Sequence, residues 1–230
     1  MIIIISGGVG SGKSLTAVRC AVEESKNNRV ITNFKLKNIK NYYRLKKEDV
    51  LIDKSEDPKK KDIQVNWDFW EKTRNVDIFL DELHNLINSR TAMKKENIKY
   101  SEWISQIRKI WGDQGDQNHI EALRRMPLGL FQKHVDAIVS KSNNIYLITQ
   151  RVRKIDINFR ELAHIYIQCK KMMVGDQVVI INSYWFGDDN NDAIEYAMSG
   201  VRPRRRAFIG NEYFKYYDSY ELISTGGEWL

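Results

Sequence analysis

Gly7-Gly8-Val9-Gly10-Ser11-Gly12-Lys13-Ser14 carries the spacing Gly-x-x-x-x-Gly-Lys-Ser shortly after the apolar run Ile2-Ile3-Ile4-Ile5. That pattern between a buried strand and a helix is a phosphate loop. Glycines let the backbone curl until successive N–H groups face a polyphosphate, and the positive end of the next helix favours the same charge. Lys13 is suited to reach the β and γ phosphates, and the Ser14 hydroxyl to hold Mg²⁺. Gly7, Gly8, Val9, Gly10, Ser11, Gly12, Lys13, Ser14 and the following Leu15 form the expected ATP-binding set. ATP and Mg²⁺ are the expected ligands.

A second set of groups follows from Val76-Asp77-Ile78-Phe79-Leu80, an apolar strand that ends in Asp81-Glu82. Such a strand delivers both acids to the sheet edge where the phosphate loop lies. Asp81 would support the metal through its water shell, and Glu82 would position and polarise an attacking water. A glutamate there argues for hydrolysis over phosphoryl transfer to a small acceptor, because an activated water wastes ATP in a kinase. Gln150 closes a third strand, Asn144–Thr149, expected to neighbour the phosphate loop, and its amide is suited to sense the γ-phosphate or hold the water.

The elements that must position these groups alternate between strand and helix. Strands are expected at Ile2–Ser6, Arg29–Asn33, Val76–Leu80 and Asn144–Thr149, with a further one at Val50–Ile52. Helices are expected from Lys13 to about Ser25, over Trp67–Arg74, along the stripe Trp103, Ile104, Ile107, Ile110, Trp111, and from Pro127 to about Ser142. Ile165–Cys169 and Gln177–Trp185 flank Val174-Gly175-Asp176 and read as a hairpin. The fold class is therefore α/β, a P-loop NTPase of the additional-strand, catalytic-glutamate type. It has a central, mainly parallel sheet flanked by helices and a C-terminal β-hairpin extension. The additional strand between the two motifs is expected near Val30–Thr32 or Val50–Ile52. One unit is expected, an ATPase core over 1–170 with a helical insertion about 88–142, continued by an extension over 171–230.

Composition narrows the class. The 230 residues are 42% hydrophobic and 29% charged, ordinary for a globular protein. The longest apolar runs fall far short of the roughly 20 residues of a membrane helix. No charged segment precedes the first strand as in a signal peptide, which predicts a cytoplasmic protein. Cys20 and Cys169 are expected to be buried thiols rather than a disulfide, and the four histidines show no metal spacing. Thirty-seven basic against thirty acidic residues, net +7, permit a polyanionic partner.

Gly7–Ser14, Val30-Ile31-Thr32-Asn33, Asp81-Glu82-Leu83-His84 with Arg90, and Leu147-Ile148-Thr149-Gln150 followed by Ile155-Asp156 resemble the zonula occludens toxin-like ATPases. That family includes filamentous-phage assembly proteins and viral ATPases of the FtsK/HerA group. The resemblance covers about residues 1–170, and Tyr216-Tyr217-Asp218-Ser219-Tyr220 resembles a short tail motif of some members. It implies a ring of identical subunits that moves double-stranded DNA, most simply in viral genome packaging, with a capsid or portal-like protein as partner. Location in the host cytoplasm or with the virion follows from that setting. Filamentous-phage members carry a membrane span after the core, whereas this chain has none, which favours packaging or DNA transfer over extrusion.

The resemblance also places Arg90 as the arginine that completes a ring motor's site, with Arg108, Arg124 and Arg125 as alternatives. Arg202, Arg204, Arg205 and Arg206 are the densest candidate contact with nucleic acid, followed by the basic-aromatic segment Lys35–Lys47 and the Lys94-Lys95 loop. The tryptophan stripe Trp103–Trp111 reads as core or subunit interface. Two other readings stand beside the motor: a P-loop kinase of a nucleotide or small molecule, and a nucleotide-gated binding protein.

Overall fold

The computed structural model describes residues 1–56, 62–73, 75–82, 95–111, 116–139, 143–155, 157–188 and 191–217. Ten strands appear among them: β1 (Ile2–Ser6), β2 (Arg29–Thr32), β3 (Tyr42–Arg44), β4 (Leu51–Asp53), β5 (Ile63–Val65), β6 (Val76–Leu80), β7 (Ile145–Thr149), β8 (Ile165–Val174), β9 (Gln177–Phe186) and β10 (Arg204–Ile209). The helices are α1 (Lys13–Glu24), α2 (Lys47–Val50), α3 (Trp67–Lys72), α4 (Lys95–Trp111), α5 (Asp116–Arg125), α6 (Leu128–Val139), α7 (Ile157–Arg160) and α8 (Ala193–Met198). A 3₁₀ segment, Gly210–Tyr216, follows β10.

Eight strands form one sheet in the order β10-β9-β8-β1-β7-β6-β2-β3. From β8 to β3 all neighbours are parallel, while β9 and β10 add an antiparallel edge. All four isoleucines of β1 are buried, and their alternation explains why. Ile2 and Ile4 join one core cluster and Ile3 and Ile5 the other, so the strand is covered on both faces.

On the first face lie α3, α4 and the small sheet β4–β5, packed around Trp70 and Trp103 with ring centroids 5.0 Å apart. The tryptophan stripe is thus core. On the second face lie α1, α5 and α6, whose Ala17, Val18, Leu123, Phe131 and Val135 close over the sheet. The stretch expected as one helical insertion therefore supplies cover to both faces.

Several expectations need correction. The strand between the phosphate-loop strand β1 and the acid-bearing strand β6 is β7, paired in register with both. Residues 30–32 sit in β2 on the far side of β6, and the strand expected at Val50–Ile52 is β4, in a separate two-stranded sheet. Strand order in a parallel sheet is set by how the crossover connections pack, so sequence order did not reveal it. The 165–169/177–185 hairpin is longer, ten residues a side, and β8 runs unbroken through position 170. Cys20 and Cys169 are free, buried thiols, as expected, and burial pushes them up to about 12 and about 11. Among the described residues no helix is long and apolar enough to cross a membrane.

Candidate functional site

The phosphate loop bridges β1 and α1, and local packing explains its glycines. A Cβ on Gly7, at φ +152°, would stand 2.8 Å from the backbone oxygen of Cys169 on neighbouring β8. Gly12 takes the N-cap of α1 in the left-handed region, φ 93°, where L residues are strained. No side chain caps that end, and no acid lies in the first turn. The orphan N–H groups of the helix start therefore stay available to an anion. Lys13 is buried and its Nζ donates to Gly8 O at 2.9 Å, which holds the ammonium over the loop. Ser11 Oγ is buried without a hydrogen-bond partner among the described residues, as suits a group meant for a ligand oxygen.

The start of α1 is also tied to the antiparallel edge. Thr16 Oγ1 donates to Asn182 Oδ1 of β9 at 3.0 Å, and Cys169 Sγ donates to Thr16 Oγ1 at 3.4 Å. One turn further, the buried Arg19 meets Asp136 of α6 at 2.5 Å, and Asp136 also pairs with Arg206 of β10.

Both acids stand at the end of β6, where they were expected. Ser14 Oγ donates to Asp81 Oδ2 at 3.3 Å, so the first turn of α1 and the end of β6 share one spot. A hydroxyl and a carboxylate are hard oxygen donors, the set Mg²⁺ takes when phosphates and water complete its shell. The residues present therefore fit Mg²⁺. Burial, then the charge of Glu82, push Asp81 up to about 6, against the opposing pull of the Glu82 N–H, Lys13 and Ser14. Asp81 is still mostly ionised at neutral pH.

Glu82 breaks the strand direction with φ 51°, an uncommon conformation for a non-glycine residue. In that turn its N–H donates to Asp81 Oδ1 at 2.8 Å. Strain at such a position is held in place by its surroundings. Two strand-end amides supply them, one from each neighbour of β6. From β2, Asn33 grips the Asp81 peptide on both sides: Asp81 N donates to Asn33 Oδ1, and Asn33 Nδ2 donates to Asp81 O, each at 2.8 Å. From β7, Gln150 Nε2 donates to Glu82 Oε1 at 3.0 Å.

These groups line one cleft of about 430 Å³, within the range of small-molecule sites. Val9, Gly10, Gly12, Lys13, Ser14, Leu15, Asp81, Glu82 and Gln150 were all foreseen there. Lys171 of β8, Phe214 and Tyr217 line it too and were missed as site residues. The tail resemblance that included Tyr217 was a signal for that residue alone.

The arginine expectations fare differently. Arg90 lies outside the described residues, as do the Arg108 side chain and Lys94. Arg124 pairs with Asp188 at 3.0 Å, and Arg125 with Glu121 at 2.5 Å. In the 202–206 run, strand alternation divides the side chains. Arg204 donates to the carbonyls of Arg124 and Met126 at the end of α5 and lies over the Phe131 ring, while Arg206 pairs with Asp136. These two are engaged internally, whereas Arg202 and Arg205 are exposed. In the basic-aromatic segment, Tyr42 donates to Phe34 O and Tyr43 to Asp49, so those rings are framework rather than a stacking surface.

No curated protein matches the chain. Among solved structures, the N-terminal domain of zonular occludens toxin from Neisseria meningitidis is similar over 94% of this chain and 98% of that one, at 18% identity and a TM-score of 0.48. The family model for zonular occludens toxin matches residues 1–222. A match of that extent, over a P-loop ATPase-like fold, shows that the chain belongs to the zonular occludens toxin (Zot) family.

Proposed function

We propose that this protein hydrolyses ATP with Mg²⁺ and uses the reaction to move DNA, working as a ring of identical subunits. The observation that carries the hydrolysis is the Gln150–Glu82 hydrogen bond, 3.0 Å long, beside the phosphate loop. It holds a carboxylate where a water-directed base belongs, on a strand separated from the loop strand by β7 alone.

In this reading the N–H groups of the loop and of the α1 start cradle the phosphates, and Lys13 neutralises charge on the transferring group. Ser14 and Asp81 would hold Mg²⁺, which when bound would supply positive charge to offset that of the phosphate oxygens. Glu82 orients the water and takes its proton as the new oxygen–phosphorus bond forms and the bond to ADP breaks. Gln150 reports that event to β7. DNA as the cargo is supported by the family resemblance, the net charge of +7 and the exposed Arg202 and Arg205. Genome packaging is the leading setting; extrusion and DNA transfer use the same chemistry.

The test is ATP hydrolysis with and without double-stranded DNA, in wild type and Glu82→Gln. Glu82→Gln is expected to bind ATP and lose about 100-fold or more in turnover, the usual worth of a positioned base. DNA is expected to stimulate the wild type. Phosphorylation of a small acceptor, independent of DNA, would overturn the motor and favour a kinase. Unchanged turnover in Glu82→Gln would remove the water-directing role.

A further inference from the structure

The nucleotide cleft has a wall that the phosphate chemistry does not use. The 3₁₀ segment Gly210–Tyr216 starts against α1, where a Cβ on Gly210 would stand 3.2 Å from Leu15 Cδ1. Three residues per turn put side chains three apart on one face. Tyr213 and Tyr216 share one such face and pack on the core cluster beneath the sheet, with Tyr213 edge-on to Phe208 at 5.5 Å. Phe214 stands on another face, and Tyr217 is the extended residue that ends the segment; it too packs on that cluster, and both line the cleft with Leu15, Lys13 and Gln150. Phe214 is 50% exposed there, an aromatic ring left open beside groups built for phosphates.

The segment is not a loose flap. Tyr217 forms an antiparallel bridge with Leu36, its ring meets Phe34 edge-on at 5.9 Å, and Lys37 N donates to Tyr216 O at 2.9 Å. Phe34 directly follows Asn33, which grips the Asp81 peptide. The aromatic wall and the metal carboxylate are therefore fixed by adjacent residues of one strap. A ring face of this kind stacks on a planar heterocycle and stays tolerant of its edge groups.

We infer that Phe214 and Tyr217 form the base subsite of the nucleotide cleft, stacking on the purine of the bound nucleoside triphosphate. The inference rests on the phosphate-loop reading of the same cleft, and its test separates the two. Binding of ATP and of inorganic tripolyphosphate, which has the phosphates without the base, is measured with Mg²⁺ on the full chain for wild type, Phe214→Ala and Phe214→Trp. The wild type is expected to bind ATP more tightly than tripolyphosphate. Phe214→Ala should lose roughly tenfold for ATP, the scale of one stacked base, and nothing for tripolyphosphate. Phe214→Trp should keep ATP affinity.

Equal losses for both ligands, or no loss for ATP, would overturn the base subsite while leaving the phosphate loop intact. A wild type that binds the two ligands equally would also overturn it. Failure of both ligands to bind wild type would sink the phosphate-loop reading, and the base subsite with it.

Discussion

Asn33→Ala tests whether the β2 amide positions the acids of β6. The substitution removes two hydrogen bonds, both 2.8 Å, from the backbone of a residue only 6% exposed. Each buried peptide group left unpaired costs about 1–3 kcal/mol, and water from the adjacent cleft can reach part of the site. A net loss of about 2–3 kcal/mol follows, or a fall in Tm of roughly 5–10 °C for a chain of this length. Turnover should fall further than stability explains. Displacing Asp81 and Glu82 by about 1 Å costs on the order of 100-fold, whereas Lys13 and the loop, proposed to bind ATP, are untouched.

The assay is ATP hydrolysis at a temperature where both proteins are fully folded, with KM and kcat separated and Tm taken from the same preparations. A fall in kcat at near-constant KM is expected. Asn33→Asp sharpens the test. It keeps the acceptor for the Asp81 N–H but places a third carboxylate beside a group already at about 6. A like charge raises the pKa further, so metal-dependent turnover of that variant should fail at a higher pH than wild type as pH is lowered. Wild-type kcat in Asn33→Ala, with only Tm reduced, would show that the amide braces the fold and does not position the acids.

Two further predictions concern the frame around the site. Burial pushes Asp77 up to about 7, despite hydrogen bonds from Asn28 and Asn144, against about 3.9 for an unfolded aspartate. The folded state then holds the proton more tightly, so this contribution to stability is present below about pH 4 and is lost as pH rises through 7. Asp77→Asn should flatten the decline in Tm between about pH 4 and 7; parallel wild-type and variant curves would refute it. Asp136→Ala leaves Arg19 and Arg206 without their shared carboxylate, a loss of about 3–5 kcal/mol for a broken buried pair. Its thermal unfolding should move down by roughly 10 °C, and a shift of a degree or two would mean the pair contributes little.

What the sequence revealed, and what it withheld, follows from the range of each signal. The phosphate loop, the β6 acids and Gln150 are legible because motif, strand and strand end lie within a few residues of one another. The position of β7 between β1 and β6 depends on crossover packing over tens of residues, and no local pattern encodes it. The internal partners of the arginine run were hidden for a related reason. Its charge density is local, but Arg204 and Arg206 find their partners some 70 to 80 residues away in α5 and α6. Lys171, Phe214 and Tyr217 reach the cleft only through the β8–β9 register and the strap at Phe34. Trp103 was visible in an apolar stripe, while its contact with Trp70 was not.

The two strand-end amides differ in a way that bears on how the site would respond to a bound nucleotide. Asn33 holds main-chain atoms of Asp81, and those cannot leave without bending β6. Gln150 holds a side-chain oxygen of Glu82, and a change of rotamer at either residue releases it with the sheet intact. β2 is thus suited to be the fixed side of β6 and β7 the responsive one. The responsive strand is also the one paired with β1, so it adjoins the phosphate loop and the acids at once. A change at the γ-phosphate that turns Glu82 would be felt first at residue 150 and passed into the segment that follows it. The α1 helix has no such freedom, because Thr16–Asn182 and Arg19–Asp136–Arg206 lock it to β9, α6 and β10. A shift that starts at the γ-phosphate would therefore leave the site through the end of β7, while the antiparallel edge holds α1 fixed.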